Sequence, residues 1–162
     1  MISPLQMPGE KVRMLTEIAD RLLHVPNIVA VVLGGSYARG LAGPGSDLDV
    51  GLYYREASPF SIDQVRSVAA SICTAGSVPI VVGLYEWGPW VNGGAWIQTP
   101  VGKVDFLYKN LDQIQKVMPK ESKACGVKTA ISNRPMAFAA SYIPVRVTSA
   151  FHSMTAKAKS RG

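Results

Sequence analysis

Asp47-Leu48-Asp49 opens an apolar run that continues through Tyr54. Successive residues of a strand point to opposite faces, so the two acids share one face and Leu48 belongs to the other. Such a strand cannot be interior on both sides. It belongs in a sheet with one face closed on a core and the other open to whatever satisfies two carboxylates. Neighbouring carboxylates repel one another. A hard divalent cation such as Mg²⁺ relieves that repulsion and keeps positions open for phosphate and water.

The rest of the chain supplies a sheet and helices in alternation. Val12, Leu15, Ile18, Ala19, Leu22 and Leu23 recur at helical spacing and predict an amphipathic helix over 9–24, stopped by Pro26-Asn27. Ile28 to Leu33 predicts a buried strand, and Tyr37-Ala38-Arg39 the start of a short helix. Ser61 and Gln64 have capping-box spacing ahead of a helix whose inner face is Ile62, Val65, Val68, Ala69 and Ile72. Further strands are predicted over 78–84, 95–98 and 103–108, the last two joined by a tight turn at Pro100–Gly102. Asn110 can cap a last helix carrying Leu111, Ile114, Val117 and Met118, ended by Pro119. This order predicts an α/β (α+β) fold with a single mixed β-sheet flanked by helices.

The 162 residues suffice for one domain with its own core. The longest apolar run, Ile28 to Leu33, falls far short of the ~18–20 residues of a membrane span, so no membrane role is expected. The N-terminus carries no basic stretch followed by an apolar core. Cys73 and Cys125 lack metal-ligand spacing and read as reduced thiols, so a cytoplasmic location is expected. The net charge of +6 is unevenly placed. Residues 1–121 hold ten Lys/Arg and eleven Asp/Glu, whereas residues 122–162 hold seven Lys/Arg and no acid. The body is therefore not basic, which argues against nucleic acid as its partner.

Two further features frame the acid pair. Asp105 lies inside the apolar strand Val104 to Tyr108, where an acid needs a reason to be. If that strand lies beside the first, three carboxylates converge, and they could hold two metals roughly 3.5–4 Å apart. Upstream, Gly34-Gly35-Ser36 follows a strand and stands ten residues before Asp47. Its glycines would let phosphate oxygens approach backbone N–H groups, the Ser36 hydroxyl could donate to them, and Arg39 could neutralise charge there.

Gly-Gly-Ser, this spacer, Asp-Leu-Asp and the later apolar-Asp-apolar strand together resemble the DNA polymerase β-like nucleotidyltransferase superfamily. The strings Gly-Ser-Tyr-Ala-Arg-Gly and Ser-Asp-Leu-Asp-Val are most similar to its small bacterial members, the antibiotic and the minimal nucleotidyltransferases. The resemblance covers about residues 25–110. It implies that Asp47, Asp49 and Asp105 are catalytic metal ligands for two Mg²⁺ ions. It implies that Gly35 and Ser36 grip the triphosphate, and that Asp105 also helps to deprotonate the acceptor. The expected activity is transfer of a nucleoside monophosphate, AMP from ATP, onto a hydroxyl with release of pyrophosphate. The acceptor is left open between a small hydroxylated molecule and a protein side chain. The alternative is a catalytically impaired nucleotide-binding remnant or an antitoxin-like protein that works by binding.

Outside this pattern, Trp87, Trp90 and Trp96 could stack a base or an acceptor ring, although packing around their loop is the simpler reading. Glu86 reads as a solvent-facing acid and His24 as structural; His152 receives no role. We expect residues 1–120 to form the nucleotidyltransferase domain and 121–162 a basic, irregular tail. That tail is either native or a truncated or frameshifted C-terminal region, with the shift near codons 118–122. Loss of the native region would bare an apolar sheet face and favour a homodimer.

Overall fold

A computed structural model describes residues 7–89, 92–117 and the strand at 143–147. Ten elements follow in chain order: α1 (Gly9–Leu23), β1 (Ala30–Leu33), α2 (Gly35–Arg39), β2 (Leu48–Tyr54), α3 (Ile62–Ile72), β3 (Ile80–Val81), β4 (Gly94–Thr99), β5 (Gly102–Asn110), α4 (Leu111–Val117) and β6 (Ile143–Val147). The strands form one six-stranded sheet in the order β3-β4-β5-β2-β1-β6. β2 and β5 pair in parallel and every other neighbour is antiparallel, so the sheet is mixed as expected. No described helix is long and apolar enough to cross a membrane.

Alternation along the strands divides the sheet into two unlike faces. Val31, Leu33, Leu48, Val50, Leu52, Tyr54, Ala95, Ile97, Val104, Phe106 and Tyr108 point to one side, where Leu15, Ile18, Ala19 and Leu22 of α1 and Val65, Ala69 and Ile72 of α3 cover them. Phe60 enters the same core edge-on to Tyr54 and Tyr108, with centroids 5.3 and 5.0 Å away. The opposite face carries Ala30, Val32 and Tyr53, closed at one end by Leu111 and Ile114 of α4.

Several local signals act as the sequence suggests. Ser61 caps α3 by accepting from the Gln64 amide, and Asn110 Oδ1 accepts from the amides of Asp112 and Gln113 at the start of α4. His24 ends α1 with Nδ1 2.6 Å from the Asp20 carbonyl oxygen, a structural role. Two expectations need correction. The strand anticipated over 78–84 shrinks to Ile80–Val81, because this segment runs along the sheet edge, where Val78 and Ile80 are exposed. Val12 faces outward, and the inner stripe of α1 begins with Lys11 instead. Ile143–Val147 pairs antiparallel with β1, a strand that the sequence pattern did not suggest. Otherwise the basic tail, like Trp90, Met118, Cys125 and His152, lies outside the described residues.

Candidate active site

The parallel junction of β2 and β5 builds the site. Its register sets Asp49 directly beside Asp105, with Leu48 beside Val104 and Val50 beside Phe106. Leu48, Val104, Val50 and Phe106 are fully buried on the core side, so the two aspartates are held on the other face. Asp47 immediately precedes β2 and is half-buried. The sequence-predicted acids are thus brought to the same ends of two adjacent strands.

Their electrostatics show the proximity. Asp49 is raised above the ordinary carboxylate range by burial and then by the Asp47 charge, with Arg39 pulling it back. Asp105 is pushed up to about 6 by burial, then by Asp49 and Asp47, with Lys103 opposing. Among the described residues, no set of three Asp, Glu, His or Cys side chains is arranged around a single ion position. The acids nonetheless act on one another, and mutual repulsion on a half-buried face is the condition that divalent cations relieve.

The glycine turn locks onto this pair. The Gly34 amide donates to the Asp49 carbonyl oxygen at 2.8 Å, tying the end of β1 to β2. Gly34 therefore contributes close approach, while its N–H is already engaged. Gly35 has φ +62°, and a Cβ placed on it would lie 1.7 Å from Asp49 Oδ2, so the carboxylate occupies the space that a side chain would need. Gly35 and Ser36 open α2, where first-turn amides have no partner within a helix. Arg39 stands exposed one turn on, its Nε donating to the Gly35 carbonyl at 3.3 Å, near enough to Asp49 to act on its charge.

The fold and this geometry agree with one family. The nucleotidyltransferase domain model matches residues 13–117. The chain belongs to that family, within the DNA polymerase β-like superfamily. No curated protein matches the chain significantly. Membership in the nucleotidyltransferase family supports transfer of a nucleoside monophosphate as the general activity.

Sequence reasoning missed two residues around this candidate site. Lys11 is only 6% exposed; its Nζ donates to the Ser46 carbonyl at 2.5 Å and lies 5.1 Å from the centre of the Tyr37 ring. It thereby links α1 to the residue before Asp47 and to the ring that follows Ser36. A lysine at the first place of the Leu15–Ile18–Leu22 stripe was the available signal. Lys103 faces the same side as Asp105, two residues away, and counters its charge. Glu86 turns back into its own loop, accepting from the Gly83 amide at 2.7 Å, which leaves it engaged within that loop.

Proposed function

We propose that the protein transfers AMP from Mg²⁺-bound ATP onto an acceptor hydroxyl and releases pyrophosphate. The observation that carries this reading is the Asp49–Asp105 register across a parallel strand pair, with Gly35 pressed against Asp49. Asp47, Asp49 and Asp105 would hold the metal. Two Mg²⁺ ions, when bound, supply neutralisation of the phosphate charge that builds up during displacement at phosphorus.

The chain's own groups do the rest. The Gly35 and Ser36 amides and the Ser36 hydroxyl donate to triphosphate oxygens, and the Arg39 guanidinium offsets their charge. Asp105, on the side of the acid pair away from the glycine turn, takes the proton from the acceptor hydroxyl. The freed oxygen forms a bond to the α-phosphorus as the bond to the bridging oxygen breaks, and that oxygen leaves with pyrophosphate.

Purified protein given Mg²⁺, α-labelled ATP and candidate acceptors should label an acceptor and release pyrophosphate. Asp47→Ala and Asp49→Ala should each abolish that signal, and an unchanged rate in either refutes the assignment. Mg²⁺-dependent ATP binding without pyrophosphate release would instead mark a nucleotide-binding remnant.

A further inference from the structure

On the open face of the sheet, the strand register continues past the acids. Trp96 of β4 is the cross-strand partner of Asp105, as Asp49 is on the other side. Directly opposed residues share a face, with Cβ atoms about 5 Å apart. Ala95 and Ile97 are buried in the core, which confirms that Trp96 points to the acid side, where it is 46% exposed.

Trp96 does not stand alone. The Trp87 ring lies 4.5 Å from it, centroid to centroid, tilted by 38°. Trp87 rests on the backbone of Gly94, where an added Cβ would come within 2.8 Å of the indole, and its amide donates to the Asn92 carbonyl. The next row of the same face is Gly94, Leu107 and Gly51, with the Trp87 indole against Gly94 and the Tyr53 ring against Gly51. On the other side of Trp96, the exposed Gln98 and Lys103 face each other across the same strand pair. An aromatic pair with a polar rim thus borders the carboxylate.

We infer that Trp96, backed by Trp87, is the acceptor platform, and that the acceptor carries its hydroxyl on the edge of a ring with an apolar face. This rests on the nucleotidyltransferase reading and extends it. The glycine turn lies on the β1 side of Asp49, so the triphosphate approaches from there. The tryptophans lie on the β4 side of Asp105, across the acid pair. A ring stacked on Trp96 directs an edge hydroxyl toward Asp105, and Gln98 and Lys103 can meet its other polar groups. A pocket that combines an apolar surface with a few placed polar groups fixes orientation in this way. Saccharide rings and phenols both have this chemistry.

The test uses the full chain and two ring probes, methyl β-D-glucopyranoside and N-acetyl-tyrosinamide, with glycerol as the ringless control. Saturation transfer from protein to probe C–H protons, measured with Mg²⁺ and a non-hydrolysable ATP analogue, should appear for a ring probe and not for glycerol. Which ring responds identifies the source. Trp96→Ala should weaken that binding by about tenfold, the scale of one lost aromatic stack. Trp96→Phe should retain most of it. Calorimetric binding of the Mg²⁺-bound analogue should be unchanged in both variants, which also shows that they are folded. Transfer to neither ring, or equal transfer in Trp96→Ala, overturns the platform. Weaker nucleotide binding in Trp96→Ala also overturns it, by making the indole a nucleobase contact. Failure of the wild-type protein to bind the analogue at all would instead sink the underlying nucleotidyltransferase reading.

Discussion

The two faces of the sheet are made from the same strands and obey different rules. One face is aliphatic and aromatic from β4 through β1 and is sealed by α1 and α3. The other, within the same residues, carries Asp49, Asp105, Lys103, Lys109, Trp96 and two glycines. Alternation lets one strand serve both, so that Leu48 and Val50 hold Asp49 in place without touching its chemistry. The larger apolar core lies on the first face, and the second accepts groups that burial and like charge disfavour.

Changes on each face should separate these roles. The largest effect is expected from Asp49→Ala, which should cut label transfer by roughly three orders of magnitude, about 4 kcal/mol of barrier. Its thermal midpoint at neutral pH should hold or rise. A carboxyl whose folded pKa is raised loses stability as pH climbs through that value, so removing it relieves a cost. A clear fall in midpoint would break the division of labour between the faces. Phe106→Ala, on the sealed side, should cost about 3–5 kcal/mol in urea unfolding, because the ring is fully buried.

Gly35→Ala crosses the boundary. A non-glycine residue at positive φ costs about 1–3 kcal/mol, and here the methyl must also displace the Asp49 carboxylate. Mg²⁺-dependent nucleotide binding should fall more steeply than stability, as calorimetry beside thermal unfolding can show. The smallest effect should come from Lys109→Met. Burial lowers this lysine from 10.5 to about 8, so over that range the unfolded chain keeps a proton that the folded chain has released. Wild-type stability contributed by this group therefore rises with pH from about 8 to 10.5. The stability of the wild type relative to the methionine variant should therefore rise across that window, as urea unfolding at pH 7 and at pH 10.5 can show. A pH-independent difference would show that burial is not what disfavours the charge.

What the sequence made legible was local or strictly periodic. The bounds of β2, the Ser61 and Asn110 caps, the Leu15–Ile18–Leu22 stripe and the turn before Gly102 all follow from neighbours within a few residues. The apolar run over 78–84 misled, since apolar content does not say how much of a segment is covered: Val81 and Leu84 reach the core, whereas Val78 and Ile80 at the sheet edge stay exposed. Ile143–Val147 is a strand because β1 offers it an edge, and its own pattern, interrupted by Pro144, carries no such signal. The three aspartates were legible as a motif, but the place of Trp96 beside Asp105 depends on β4–β5 register. Lys11 was passed over because a charge within an apolar stripe reads as an interruption until its partner, the carbonyl before Asp47, is known.

The parallel union of β2 with β5 has a consequence for how the protein comes into being. Its partners, residues 49 and 105, are separated by a helix and a hairpin, and such distant pairings must close a long loop before any contact rewards them. The Gly35 turn can dock on Asp49 through the local β1–β2 ladder, yet Asp105 arrives only with the β4–β5 hairpin. A growing or half-folded chain would thus hold the glycine turn against Asp49 before Asp105 stood beside it, and on the proposed function nucleotide turnover would report that the last piece of the sheet had found its register.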